Sequence, residues 1–101
     1  MLDIQNTINS NKLVLFMKGD ALRPACGFSA RVVEILKELD VDFASVDVLE
    51  DEELRQELKV FSKWPTFPQL YISGEFIGGC DIVQEMYTEG ELEDLLFADD
   101  N

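Results

Sequence analysis

Histidine is missing from this 101-residue chain, which removes the commonest metal ligand and the usual general base of enzyme sites. Cations are scarce as well: eight Lys and Arg stand against twenty-one Asp and Glu, a formal net charge of −13. Phosphate backbones and anionic membrane surfaces are bound through Lys and Arg, so partnership with nucleic acid or a membrane surface is excluded. No apolar run approaches the roughly 20 residues that span a bilayer. The first residues, Met1-Leu2-Asp3-Ile4-Gln5-Asn6, have no basic stretch and no apolar stretch of a leader, and are not Arg-rich, so a cytoplasmic location is the default expectation. There are only two cysteines, and in a cytosolic chain a structural disulfide is not expected of them. Chemistry therefore has to run through sulfur, carboxylates or the backbone.

What is present is enough for one core. The chain is 47% hydrophobic and has the length of one domain, expected to cover residues 1–101, without internal repeats or a linker. It is organised around Cys26-Gly27-Phe28-Ser29. An apolar run, Leu13 to Met17, reads as a central strand covered on both faces. A loop from Lys18 to Ala25 follows, and then Phe28, Val32, Val33, Ile35, Leu36 and Leu39 recur at helical spacings. One thiol thus sits where a loop becomes a helix, where unpaired N–H groups and the positive dipole end favour an anion. Such a thiol loses its proton readily, and the thiolate is the form that attacks or binds metal. The other reading, an inert buried thiol, fits poorly with a Pro-Ala-Cys-Gly helix entry.

Around this motif, Leu2 to about Ser10 reads as a short helix, with Leu2, Gln5, Ile8 and Asn9 as a weak face. Phe43 to Val48 alternates like a second strand, parallel to the first through a right-handed crossover. Glu50-Asp51-Glu52-Glu53 opens a helix whose buried side is Leu54, Leu58 and Phe61. Arg55, Lys59 and Lys63 form a basic stripe on it, either a binding feature or a solvated face paired with nearby Glu. Trp64-Pro65-Thr66-Phe67-Pro68 breaks the helix. Gln69 to Ile77 reads as a hairpin turning at Ser73-Gly74. Gly78-Gly79 leads into a helix from Cys80, with Ile82, Val83, Met86 and Tyr87 inward, closed by Gly90. Glu91 to Phe97 is a last helix before the tail Asp99-Asp100-Asn101. The order α-β-α-β-α-β-β-α-α predicts an α/β, thioredoxin-like fold: a mixed four-stranded sheet flanked by helices. Ser29 stands where a two-thiol redox motif has its second cysteine, so disulfide exchange within the motif is closed.

These features closely resemble the monothiol glutaredoxins, marked by Cys-Gly-Phe-Ser, and among them the short single-domain bacterial type. The likeness runs from about Ile4 to Leu96 and includes Phe16-Met17-Lys18-Gly19, Pro24 to Ser29, Trp64 to Gln69 and Gly78 to Ile82. It implies roles for single residues. Cys26 resembles the reactive thiol and metal ligand. Lys18 resembles the lysine that reaches both this sulfur and a glutathione carboxylate, and Arg55 the residue that pairs with the glycyl carboxylate. Phe67-Pro68 resembles the cis-proline turn that pairs with the cysteinyl backbone of glutathione. Gly79, Cys80 and Asp81 resemble the helix start that holds the γ-glutamyl end, although Asp81 is also readable as a plain N-cap.

Three functions then compete. The resemblance implies an iron–sulfur cluster carrier: a [2Fe–2S] cluster wants four soft ligands, met by two protomers and two glutathiones. It further implies a cluster-bound homodimer that delivers to, or stores for, apo iron–sulfur proteins, or that pairs with a BolA-like protein. The alternative is a glutathione-dependent thiol–disulfide oxidoreductase acting through Cys26, a reaction that monothiol members resemble poor catalysts of. A non-catalytic scaffold is the third, and it leaves the glutathione-like pocket without a use.

Overall fold

Five apolar residues in a row, Leu13–Met17, form β1, and all five are buried. A strand covered on both faces hides such a run. In the computed structural model, which describes residues 3–97, β1 is a central strand. It pairs in parallel with β2 (Ala44–Asp47) and antiparallel with β3 (Gln69–Ile72), and β3 pairs antiparallel with β4 (Glu75–Gly78). The sheet order is β2-β1-β3-β4, the mixed thioredoxin-like sheet expected from the sequence. Side chains alternate along β1, so it feeds two cores. Leu13, Leu15 and Met17 pack with helices α2 (Gly27–Glu38), α4 (Cys80–Glu89) and α5 (Glu91–Phe97). Val14 and Phe16 pack on the other face with α1 (Ile4–Ser10) and α3 (Glu52–Ser62). Among the described residues no helix is long and apolar enough to cross a membrane.

The element order agrees with the expected one, apart from an added 3-10 turn at Val48–Glu50. Details differ for local reasons. Helix α1 begins at Ile4 because Asp3 caps it, accepting from the Asn6 N–H at 3.1 Å, and its buried residues are Ile4 and Ile8. Leu2 and the tail Asp99-Asp100-Asn101 lie outside the described residues. The acidic opening of α3 is split: Glu50 ends the 3-10 turn, Asp51 is the N-cap, and Glu52 and Glu53 sit in the first turn. Phe61, expected inside, is 43% exposed: it lies in the last turn of α3, its ring tilted against Tyr71 at 6.2 Å between centroids and bordering an open groove with Ile4 and Val60.

The loop between β1 and α2 carries the reactive motif, and acidic side chains hold it. Asp47, at the end of β2, accepts from the N–H groups of Gly19 and Leu49 at 3.0 and 2.9 Å. Asp20 accepts from Leu22 and Arg23, and the Ala25 N–H donates to the Lys18 carbonyl at 2.8 Å. The loop closes so tightly on Gly19 (φ +84°) that a Cβ there would lie 2.5 Å from backbone atoms of Arg23 and Ala25. Gly19→Ala should therefore destabilise the fold by about 2 kcal/mol or more. A denaturant midpoint equal to that of the wild type would disprove this account of the loop.

Candidate functional site

Cys26 is itself the N-cap of α2. Its extended backbone turns the sulfur back over the first turn, where Sγ accepts from the Ser29 N–H at 3.4 Å. The Ser29 hydroxyl lies 3.4 Å from the same sulfur and accepts from the Lys18 N–H at 3.2 Å, so it is fully buried yet satisfied. Burial is the largest single influence on the Cys26 thiol and pushes its pKa up. The Ser29 hydroxyl, the Ser29 and Phe28 backbone N–H groups and the Lys18 charge together outweigh it, so the net pKa is below that of an ordinary thiol.

Cys80 has the opposite balance. Burial again comes first, and the adjacent Asp81 carboxylate adds to it, while Arg31 only partly offsets them, so its pKa is raised. Both cysteines are free. The two sulfurs are thus shifted in opposite directions, Cys26 towards easier loss of its proton and Cys80 towards keeping it.

The two cysteines line one cavity of about 500 Å³. Lys18, Phe67, Pro68, Gly79 and Asp81 line it with them, so seven of the eight residues singled out from the sequence come together. The Phe67–Pro68 bond is cis. Arg55 is not part of this lining: its guanidinium pairs with Glu52, three residues earlier on α3. That pair is the solvated-face reading of the stripe, although the Arg55 Nε is buried with no partner. Asp81 is not an N-cap, because Gly79 occupies that position and Asp81 lies in the first turn of α4.

Four lining residues carried no such assignment: Phe28, Trp64, Thr66 and Ile82. Phe28 was expected on the core face of α2, yet it is 64% exposed, because the first turn opens on the cavity rather than on the sheet. Ile82 likewise turns to the cavity, and Val83 is the fully buried residue of α4. Trp64 lies against Gly79, where an added Cβ would be 3.3 Å from the indole nitrogen. A Trp-Pro pair next to a cis-proline turn was the available signal for this wall.

A thiol of lowered pKa at a helix start, a cation, a cis-proline turn and a second helix start together suit a small thiol with carboxylate ends. Among the described residues no group of three or more His, Cys, Asp or Glu side chains could hold a metal ion. One chain therefore offers a soft metal at most part of a ligand set, and the donors fit a group shared with other thiols.

A family model described as Glutaredoxin matches residues 13–77. A protein of Rickettsia typhi called probable monothiol glutaredoxin 2 is 62% identical over 93 residues, covering 92% of this chain and 84% of the relative. The solution structure of reduced poplar apo GrxS14 is 60% identical, with a TM-score of 0.79, covering 88% of this chain and 82% of that one. The crystal structure of a buckwheat glutaredoxin–glutathione complex is 29% identical, with a TM-score of 0.83, covering 93% and 84%.

Below the pKa of an ordinary thiol, iodoacetamide should modify Cys26 well before Cys80, as located by mass spectrometry. Ser29→Ala removes the hydroxyl contact and should move the Cys26 rate profile to higher pH. It also leaves the Lys18 N–H without its acceptor, at about 1–2 kcal/mol of stability. An unmoved profile in a folded Ser29→Ala protein would remove the hydroxyl from this account.

Proposed function

The chain belongs to the glutaredoxin family, in its monothiol branch, and from that premise we propose that it binds glutathione and, as a homodimer, carries a [2Fe–2S] cluster as cargo. The reading treats residues 1–101 as one glutaredoxin domain working in the cytoplasm, which stores the cluster or hands it to apo iron–sulfur proteins or to a BolA-like partner. The observation that carries it is the single low-pKa thiol of Cys26 at the mouth of the cavity, with Ser29 in place of a second thiol.

The residues take their roles from their chemistry. Lys18 and Arg55 are cations available to glutathione's carboxylates, Arg55 to the glycyl one, in a protein whose overall charge repels an anion. Arg55 has to leave Glu52 to do this, and surface pairs of this kind are worth under about 1 kcal/mol. The backbone of Phe67, beside Pro68, meets the cysteinyl unit in an extended pairing. The N–H groups at Gly79 and Cys80 face the γ-glutamyl carboxylate, and Asp81 its ammonium. The glutathione thiol then lies beside Cys26. A [2Fe–2S] cluster takes four soft ligands, and two chains with two bound tripeptides supply four sulfurs without Cys80. Half of these ligands dissociate freely, which suits a cargo that must leave.

The lowered pKa of Cys26 also supports a second reading, deglutathionylation. The Cys26 thiolate attacks the glutathione sulfur of a mixed disulfide, forming a Cys26–glutathione disulfide and releasing the other thiolate. A second glutathione thiolate attacks that disulfide, giving glutathione disulfide and the free Cys26 thiolate.

Anaerobic reconstitution with iron, sulfide and glutathione should give a coloured dimer that contains the tripeptide by mass. Cys26→Ser should stay colourless and Cys80→Ser should colour normally; the reverse pattern would move the ligand role to Cys80. Arg55→Glu should weaken the coloured dimer while leaving the apo-monomer folded. If dithiothreitol in place of glutathione yields an equally stable dimer without tripeptide, glutathione is not a ligand.

A further inference from the structure

The segment Trp64–Pro68 forms one wall of the cavity but cannot hold itself in place. Pro65 and Pro68 have no N–H, so the segment lacks donors for a ladder of its own while its carbonyls still need partners. Two of those carbonyls are met by one side chain. Gln69 is fully buried, and its Nε2 donates to the Trp64 carbonyl at 3.1 Å and to the Thr66 carbonyl at 3.3 Å. Its Oε1 accepts from the Tyr71 hydroxyl at 3.3 Å. This orientation of the amide is dictated by the partners, since carbonyls only accept and the hydroxyl can donate. Burial pushes the Tyr71 pKa up to about 12, so the hydroxyl keeps its proton at any working pH. Trp64 is held from the other side too, its N–H donating to the Ser62 hydroxyl at 3.1 Å. With its backbone fixed at both N–H and carbonyl, the Trp64 ring rests against Gly79 and beside Phe76, 6.0 Å between centroids. Trp64 and Thr66 face the cavity, whereas Gln69 stands behind them and does not line it.

We propose that Gln69 is a positioning residue for ligand binding: its amide holds the Trp64–Thr66 backbone so that Trp64 stays over Gly79, and this sets the affinity of the cavity for glutathione. The ligand named here rests on the function proposed above; the placement of the wall does not.

Trp64 is the single tryptophan, so its fluorescence reports the wall directly. Gln69→Met keeps an unbranched side chain of similar length and removes every polar contact. It should shift the Trp64 emission to the red and weaken glutathione binding, measured by calorimetry, by about tenfold, the effect of losing one to two buried hydrogen bonds. The pH profile of Cys26 alkylation should stay that of the wild type, because Ser29, Phe28 and Lys18 set it. A general loosening of the fold would move that profile along with the affinity, and such a result overturns the proposal. So does a folded Gln69→Met protein with wild-type emission. If Gln69→Met does not fold, Tyr71→Phe decides, since it frees the amide to turn and keeps the ring. It should give a smaller red shift and about threefold weaker binding, and wild-type emission and affinity in it would be equally fatal. Should the wild type itself fail to bind glutathione, the proposed function falls while the emission of Gln69→Met still judges the role of Gln69.

Discussion

The sulfur of Cys26 caps a helix, and much of the site follows from that one placement. An N-cap has to accept a hydrogen bond, and a thiolate does so better than a thiol. The Ser29 N–H that meets the sulfur is thus both a structural contact and the means by which the proton is made easier to lose. The Ser29 hydroxyl ties this helix start to the end of β1 through the Lys18 N–H, so strand, loop and helix meet within a few ångströms of the sulfur. The acidic side chains of Asp20 and Asp47 hold the intervening loop without placing a carboxylate near Cys26 strongly enough to raise its pKa.

The second wall of the cavity is set by contacts between helices. Arg31 on α2 donates to the Gln84 side chain on α4 at 3.3 Å, and the Tyr87 hydroxyl donates to Glu38 at 2.6 Å. These exposed contacts run along α2 and α4 behind their first turns, over the buried cluster that Val32, Val33 and Val83 share between the two helices. The two cysteines that share the cavity are chemically asymmetric. Both are partly buried, but one helix start brings a hydroxyl, N–H groups and a lysine to its sulfur, and the other brings Asp81. A cavity that eases loss of the proton at one sulfur and opposes it at the other suits Cys26 to act as nucleophile or soft ligand while Cys80 contributes shape and backbone.

Much of this was legible in the amino-acid order because its causes are local. The five-residue apolar run has the length and character of a central strand, and Pro65, Pro68 and Gly90 mark where regular elements break. The residues that share the cavity were implied by the resemblance that the motifs at Cys26, Trp64 to Gln69 and Gly79 carry, not by local pattern. The misplacements fell where a pattern on one element depends on what faces it. Phe28 has the spacing of a core residue, but the first turn of α2 opens on the cavity. Phe61 has core spacing in the last turn of α3, but it borders an open groove with its ring tilted against Tyr71. Asp81 looked like a cap because acid near a helix start often is one, yet Gly79 takes the position.

Sequence alone therefore determined the succession of elements, the placement of Cys26 at a helix start and the exclusion of histidine chemistry, all of which rest on residue type and near-neighbour spacing. Tertiary structure decided which partner each polar group found. Arg55 meets Glu52, Ser29 meets Lys18, and Gln69 reaches back to the carbonyls of Trp64 and Thr66. Hydrogen bonds and desolvation act over a few ångströms in space, and chain order does not say which side chains the packing of two cores will bring within that distance.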